Sequence, residues 1–310
     1  MPANRFLPPR MSALQSRVVP LRACDAVGDD LQIPATEFER FQEYFYRKTG
    51  IVFGAPKRQF VEHRLAGRMA ARGTASVRSY LAFLKFEDSA GSELQLLVNA
   101  LTVNETYFYR EEYQFDCLVS SILPELTANR KPGEGPPIRI WSLPCSTGEE
   151  AYSLAIRLLE TWRDVDRHDV EIIGSDIDSR VIAQARAGVY DDRAVKNLPD
   201  AALRRYFEHI PGGRWRISET LRASVDFGVL NITDAAAMRP HRGAFDVVFC
   251  RNLLIYFDDV SRRAAVEAIY DALRPGGFVC LGHSESMSRI SSLFTLRKFP
   301  AAIVYQKPRS

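Results

Sequence analysis

The sequence predicts an α/β protein with a doubly wound, mostly parallel sheet, preceded by a small helical domain. Three observations support this prediction. A buried strand, a small-residue turn and a helix follow one another in residues 138–150, which read IRIWSLPCSTGEE. Further apolar strands alternate with helices in the second half of the chain, as in doubly wound sheets. The last two predicted strands, 276–285 and 301–307, are joined by a long loop, which favours an antiparallel pair.

The composition is that of an ordinary globular protein, since 46% of the 310 residues are hydrophobic and 25% are charged. The net charge of +3 is too small to indicate nucleic-acid binding by itself. The five cysteines are scattered, with no CxxC or Cys–His pair at metal spacing. We therefore expect no metal site and a reducing, cytoplasmic setting. We expect neither a membrane span nor a signal peptide, because the apolar runs are too short.

The N-terminal part is predicted to be a tail followed by helices. Residues 1–33 contain four prolines and no sustained periodicity, which is typical of a flexible tail. A helical domain follows over 34–102. Its first helix starts near Thr36, where Thr36 and Glu39 have the spacing of a capping box. Further helices are predicted over 57–72 and 79–101.

The helix 57–72 carries a basic face beside an apolar stripe. Arg64, Arg68 and Arg72 stand at four-residue steps, Arg58 precedes them, and Glu62 is the single acid. A solvated face is one interpretation of such a pattern. The scarcity of compensating acids favours the other interpretation, a docking surface for an acidic partner.

The segment 103–112 joins the two domains and is polar and aromatic at once. Asn104, Thr106 and Arg110 have side chains able to hydrogen-bond a bound ligand. Taken alone, the segment favours a helix cap followed by aromatic residues of the core over a ligand-binding role.

The turn of residues 143–148 lies where doubly wound folds bind nucleotide-like ligands. The second strand, 170–175, ends at Asp176, whose carboxylate suits the hydroxyl groups of a ribose. A pyrophosphate is disfavoured because the turn has a single glycine and because Glu149 and Glu150 open the following helix. These acids suit a cationic nucleoside such as S-adenosylmethionine. A dinucleotide-dependent dehydrogenase is therefore disfavoured.

The remaining strands also end in polar residues. An insertion over about 189–224 is predicted to contain a small hairpin around Gly212–Gly213. The third strand, 225–232, includes Asn231, and the fourth, 245–252, ends in Arg251 and Asn252. Catalytic groups of open α/β sheets collect at such strand ends. Tyr256 follows about one turn later, where packing and function are equally compatible with the spacing.

These motifs together resemble the chemotaxis receptor glutamate methyltransferases, the CheR family. The matching segments run in the family's order over residues 36–307: TVNETYFYRE (102–111), IWSLPCSTGEEAYSLA (140–155), GSDID (174–178), FDVVFCRNLLIYFD (245–258), LRPGG (273–277) and GHSES (282–286). The resemblance implies the class I methyltransferase fold, with a seven-stranded sheet, an antiparallel last strand and an inserted β-hairpin subdomain. It assigns residues 113–310 to a catalytic domain, 34–102 to receptor docking and 103–112 to a linker that contributes to the cofactor site.

The resemblance also implies an activity. A methyl group would pass from S-adenosylmethionine to glutamate side chains of methyl-accepting chemotaxis receptors, leaving S-adenosylhomocysteine. The partner would be the cytoplasmic helical region of those receptors, to which a cytoplasmic, monomeric protein is recruited without membrane insertion. A non-catalytic cofactor-binding regulatory protein is the alternative. A nucleic-acid methyltransferase is disfavoured, because Arg251-Asn252-Leu253-Leu254 stands where such enzymes carry Asn/Asp-Pro-Pro-aromatic.

The family's site residues are carried over only onto matching positions. The expected cofactor contacts are Asn104, Thr106, Arg110, Glu149 or Glu150, Asp176, Asn231, Ile232, Arg251 and Asn252. Of the two glutamates, Glu149 is slightly favoured for its position. Arg110 and Tyr256 are expected to line the acceptor pocket and to orient the carboxylate. The helix with Arg58, Arg64, Arg68 and Arg72 resembles the one that the family uses to approach receptors.

Overall fold

The computed structural model describes residues 33–287 and 290–309. The predicted tail of residues 1–33 lies outside this part of the chain except for Ile33. That residue is buried against the N-terminal helices, so the helical unit includes the last residue of the predicted tail. Within the described ranges, no helix is both long and apolar enough to cross a membrane.

The N-terminal unit consists of four helices around one apolar core. They are α1 (Ala35–Thr49), α2 (Arg58–Arg72), α3 (Val77–Phe86) and α4 (Ser92–Leu101). Phe41, Leu65 and Tyr80 are completely buried at their centre. The predicted capping box of the first helix is wrong, because α1 begins one residue earlier, with Pro34 as its N-cap and no capping side chain.

The rest of the described chain alternates between helices and strands. The helices are α5 (Tyr113–Cys117), α6 (Leu123–Thr127), α7 (Glu149–Thr161), α8 (Ser179–Ala187), α9 (Asp192–Val195), α10 (Asp200–Tyr206), α11 (Glu219–Arg222), α12 (Ala235–Met238) and α13 (Asp259–Ala272). The strands are β1 (Ile138–Ser142), β2 (Val170–Asp176), β3 (Val189–Asp191), β4 (Phe207–Ile210), β5 (Arg214–Ile217), β6 (Val225–Val229), β7 (Phe245–Cys250), β8 (Leu273–Leu281), β9 (Thr295–Lys298) and β10 (Ile303–Gln306). A π-helical turn, Leu118–Ile122, joins α5 to α6.

Seven strands form one sheet in the order β6-β2-β1-β7-β8-β10-β9. The first five are parallel, whereas β10 is antiparallel to both β8 and β9. The strand β7 is buried along its whole length, as expected for a central strand covered on both faces. The predicted doubly wound, mostly parallel sheet with an antiparallel last strand is therefore confirmed.

The insertion forms a separate three-stranded sheet in the order β3-β5-β4. The predicted hairpin is confirmed as β4 and β5, and the turn between them contains Gly212 and Gly213, both with positive φ. The strand β3, which immediately follows α8, pairs with β5 and adds a third strand that the sequence did not indicate.

The helical unit is attached to the sheet at two places. Ile51, just beyond α1, forms an antiparallel bridge with Phe257, and Tyr46 donates hydrogen bonds to the carboxylate of Asp258. At the other end, Thr102 donates to Asp178, the N-cap residue of α8, at 2.8 Å. These attachments hold the segment after α4 over the carboxyl ends of the parallel strands.

Candidate active site

A cavity of about 270 Å³ lies at the carboxyl edge of the parallel strands, beneath the segment after α4. Its volume is near the lower end of small-molecule sites, about 300 Å³. It contains every predicted cofactor or acceptor contact except Glu149: Asn104, Thr106, Arg110, Glu150, Asp176, Asn231, Ile232, Arg251, Asn252 and Tyr256. The fold thus brings together residues that are separated by about half of the chain.

Asp176 is fixed at the end of β2. Its carboxylate is 3% exposed and accepts hydrogen bonds from the backbone N–H groups of Ser146, at 2.9 Å, and Asp178, at 3.0 Å. Each of its oxygens can accept a further hydrogen bond. Burial is the main cause that raises the pKa of this carboxyl to about 6. The geometry suits the binding of two neighbouring hydroxyl groups.

The two acids that open α7 lie in different places, because successive helix residues point about 100° apart. Glu150 lines the cavity and accepts a hydrogen bond from the Ser142 hydroxyl at 2.8 Å. Glu149 instead accepts from the Thr147 hydroxyl at 2.6 Å and lines a separate cavity beside the inserted sheet. Burial raises the pKa of Glu149 to about 7. The structure therefore does not support the slight preference for Glu149.

Arg251 lies at the end of β7 with its side chain 2% exposed. Its guanidinium is 2.8 Å from the carboxylate of Glu150 and 3.2 Å from that of Glu111. It also donates a hydrogen bond of 2.6 Å to the carbonyl of Arg110. Its Nε atom is buried and has no hydrogen-bond partner in the part of the chain that is described.

Arg110 and Tyr256 both line this cavity. Arg110 is half-buried as a residue, and its guanidinium donates to the carbonyl of Glu105 at 2.9 Å. The Tyr256 hydroxyl donates to the carbonyl of Val103 at 3.4 Å, and the Lys57 ammonium lies 5.1 Å from the centre of its ring. Burial raises the pKa of Tyr256, against the opposing effect of Arg110, so its hydroxyl stays protonated at neutral pH.

Two predicted contacts also connect the sheet domain to the linker and to the helical unit. The Asn104 amide donates to the buried Asp178 carboxylate at 2.8 Å. The Asn231 amide donates to the carbonyl of Lys48, at the end of α1, at 2.7 Å, and its oxygen accepts from Thr233. Both asparagines therefore shape the cavity wall through their own hydrogen bonds.

Sequence reasoning assigned no role to Glu285, although it lies in the GHSES segment. Its carboxylate accepts hydrogen bonds from the backbone N–H groups of Asn252, at 2.7 Å, Leu254, at 2.8 Å, and Gly282, at 3.0 Å. Glu285 therefore holds the loop after β7 in place, and Asn252 adopts a positive φ there. The sequence did contain a signal for this role. Glu285 is an acid that follows a buried strand, and two other strands also end in polar residues.

Only part of the basic face of α2 is available to a partner, because two of its arginines pair with acids of the same chain. Arg64 and Arg72 are exposed, whereas Arg58 pairs with Glu62 at 2.9 Å. Arg68 forms two hydrogen bonds with the buried Glu93 of α4, at 2.9 and 2.6 Å. Glu62 is the single acid of this helix, as the sequence shows, but a second acid, Glu93, reaches the basic face from another helix.

Two family models match the chain. The model of the "CheR methyltransferase, all-alpha domain" matches residues 36–102, and that of the "CheR methyltransferase, SAM binding domain" matches residues 104–303. The chain belongs to the CheR methyltransferase family. These matches confirm the family resemblance drawn from the motifs. They also confirm that the chain is an S-adenosylmethionine-dependent methyltransferase of the chemotaxis family.

Individual relatives cover most of the CheR chain. A "Chemotaxis protein methyltransferase 2" of Vibrio cholerae is 49% identical over 280 residues, which are 90% of this chain and 96% of the relative. A "Chemotaxis protein methyltransferase 1" of Pseudomonas aeruginosa is 34% identical, with coverage of 87% and 97%. The "Chemotaxis protein methyltransferase" of Escherichia coli K12 is 36% identical, with coverage of 86% and 90%.

The cavity of this CheR chain fits S-adenosylmethionine. The carboxylate of Asp176 is held in place and is able to accept from two hydroxyl groups, and the apolar Leu230 and Ile232 line the same cavity, as a nucleoside would require. The unpaired Nε of Arg251 is a buried donor on a residue that lines the cavity, which suits a carboxylate of the ligand. Bound S-adenosylmethionine supplies a methyl group on a positively charged sulfur.

Proposed function

We propose that this CheR chain is a protein-glutamate O-methyltransferase that methylates glutamate side chains in the cytoplasmic helical region of chemotaxis receptors. The observation that carries the proposal is the joint occurrence of Arg110, Tyr256 and Asp176 around one cavity in a chain of this family. The names of the relatives support the chemotactic role. We further propose that the protein is cytoplasmic and is recruited to membrane receptors.

A carboxylate acceptor suits the chemistry of the cavity. A glutamate side chain is already ionised at neutral pH, so its methylation requires no general base. Among the described residues that line the cavity there is no histidine, while Arg110 and Lys57 are cationic. Such a site acts chiefly by holding the acceptor oxygen close and in line, which contributes about 7–11 kcal/mol when the geometry is near attack.

We assign the acceptor to the side of the cavity between Arg110 and Tyr256. The Arg110 guanidinium can hold one carboxylate oxygen by a charge-assisted hydrogen bond. The Tyr256 hydroxyl, protonated at neutral pH, can donate to the same group. The two residues would orient the acceptor and exclude water from it.

The remaining lining residues are assigned to the cofactor. Asp176 would bind the ribose, Asn231 and Ile232 would border the base, and Glu150 with Arg251 would face the amino acid end. The other proposed contacts are Asn104, Thr106 and Asn252. Glu149 is left out of this set, because its carboxylate faces Thr147 and the second cavity.

Receptor docking is assigned to the helical unit, residues 34–102, and in particular to α2. Arg64 and Arg72 are the free cations of its basic face, each lying over an aromatic ring, at 5.6 Å from Phe60 and 4.0 Å from Phe83. Exposed arginines held in this way suit an acidic helical partner. Residues 103–112 then contribute Asn104, Thr106 and Arg110 to the site, and residues 113–310 form the catalytic domain.

The proposal is tested by incubating the protein with methyl-labelled S-adenosylmethionine and membranes that contain chemoreceptors. Mild base is then applied to the receptor band. We expect volatile labelled methanol, because base hydrolyses carboxyl methyl esters and leaves methylated amines intact. Cofactor binding without transfer to any receptor would instead favour the non-catalytic regulatory protein.

A further inference from the structure

The backbone that carries Arg110 is held in an unusual conformation. Its two neighbours, Tyr109 and Glu111, both have left-handed backbone angles, with φ of +59° and +55°. This region is unfavourable for residues with a side chain, so surrounding contacts must maintain it. One of them is the hydrogen bond that the Tyr109 N–H donates to the Ser153 hydroxyl of α7, at 3.0 Å.

A second contact comes from the end of β7. Arg251 donates a hydrogen bond of 2.6 Å to the carbonyl of Arg110, and its guanidinium lies between two carboxylates, those of Glu150 and Glu111. The guanidinium is almost completely buried, so its direction depends on both acids. Glu111 thereby fixes the group that holds the Arg110 backbone.

A third contact comes from the end of β8. The buried Gln114 amide donates to the Glu111 carboxylate at 2.9 Å and to the carbonyl of Leu281 at 2.7 Å. The Glu111 side chain is therefore held from β7 through Arg251 and from β8 through Gln114. Glu111 does not line the cavity itself.

We propose that Glu111 is a positioning residue for methyl transfer. Through Arg251 and Gln114, its carboxylate ties the strained Tyr109–Glu111 turn to the ends of β7 and β8, and this directs the Arg110 guanidinium into the cavity. The inference rests on the proposed function, in which Arg110 orients the acceptor. Loss of the carboxylate lets the turn relax, and displacement of a positioning group by about 1 Å can cost about 100-fold in rate.

The test compares Glu111→Gln with Glu112→Gln. The control removes the neighbouring acid, whose contact is a partly exposed ion pair with Arg157. For Glu111→Gln we expect kcat at saturating S-adenosylmethionine to fall on the order of 10- to 100-fold. Amide hydrogen exchange in the peptide covering 107–112 should accelerate. In an Arg110→Ala background, Glu111→Gln should cause no further loss of kcat.

A merely structural Glu111 gives different results. In that case Glu111→Gln would lower the melting temperature while the folded fraction kept its kcat, or its effect on kcat would multiply with that of Arg110→Ala. Either result overturns the proposal. If Glu111→Gln does not fold, the variant Gln114→Met is used in its place. This variant removes one hydrogen-bond donor to the Glu111 carboxylate and leaves every charge in place. The exchange measurement needs no receptor. A wild-type protein that esterifies no glutamate therefore refutes the proposed function, whereas unchanged exchange in Glu111→Gln refutes the positioning role.

Discussion

The guanidinium of Arg68 forms two hydrogen bonds with the carboxylate of Glu93, which is only 4% exposed. The Tyr80 hydroxyl donates to the same carboxylate at 2.7 Å, and burial beside this acid raises the pKa of Tyr80. Because these residues belong to α2, α4 and α3, one buried carboxylate joins three helices of the N-terminal unit. An arginine on the proposed docking face thus also stabilises the fold.

Arg68→Ala should destabilise the protein much more than Arg64→Ala. The first change leaves the buried Glu93 carboxylate without its counter-ion, which costs about 3–5 kcal/mol. The second removes an exposed side chain and should change the free energy of unfolding by about 0.5 kcal/mol or less. Denaturant unfolding of both variants measures the difference. Equal stabilities would contradict the structural role of the Arg68–Glu93 pair.

Charge reversal at Arg64 and Arg72 should weaken receptor binding without unfolding the helical unit. Both side chains are exposed, and an acidic partner would be repelled by Arg64→Glu and Arg72→Glu. The association rate with a chemoreceptor cytoplasmic fragment should fall, and its dependence on salt should become weaker. Arg47→Glu, on α1, is a matched control at an exposed arginine outside this face. If Arg47→Glu lowered the association rate as much as the two variants, docking through α2 would be contradicted.

Glu149→Gln should stabilise the protein at high pH only. The pKa of Glu149 is about 7 in the folded protein against an ordinary 4.5, so burial of the charged form costs about 3 kcal/mol above pH 7. The penalty is absent below pH 4.5 and grows as the pH rises to about 7. Melting temperatures should therefore rise in the variant at pH 8 and match the wild type at pH 4.5. An equal change at both pH values would show that the carboxyl is not titrating as described.

Cofactor affinity should weaken as the pH falls through the pKa of Asp176. That pKa is about 6 in the unliganded protein, and protonation removes an acceptor for the ribose hydroxyls. The dissociation constant of S-adenosylhomocysteine should be constant above pH 7 and about tenfold larger at pH 5. Calorimetry across this range measures it. Asp176→Asn should bind weakly at every pH, and a wild-type affinity that does not change with pH would contradict the ribose assignment.

Strand ends were predictable because their signal is local. An apolar run that stops at Asp176 or at Asn252 marks both the strand and the side chain at its end. The edge strand β9, Thr295–Lys298, was missed because it is polar and mostly exposed, so it has no apolar run. The strand β3 was missed because it has only three residues.

The contacts that complete the site depend on distances between segments that are remote in sequence. The partner of Arg68 lies 25 residues away on another helix, and no spacing rule on α2 reveals it. The choice between Glu149 and Glu150 depends on where α7 begins, which sequence patterns locate only within a few residues. The left-handed angles at Tyr109 and Glu111 are imposed by tertiary contacts and have no glycine to indicate them.

Glutamate methylation is tested most directly by mass spectrometry of a chemoreceptor cytoplasmic fragment after incubation with the protein and S-adenosylmethionine. The glutamate assignment predicts that peptides gain the mass of one CH₂ on glutamate side chains. It also predicts that Arg110→Ala and Tyr256→Phe reduce this gain while they still bind S-adenosylhomocysteine. Methyl groups on lysine, on a backbone amine or on copurified nucleic acid would contradict the account, as would a bound cofactor with no modified receptor peptide.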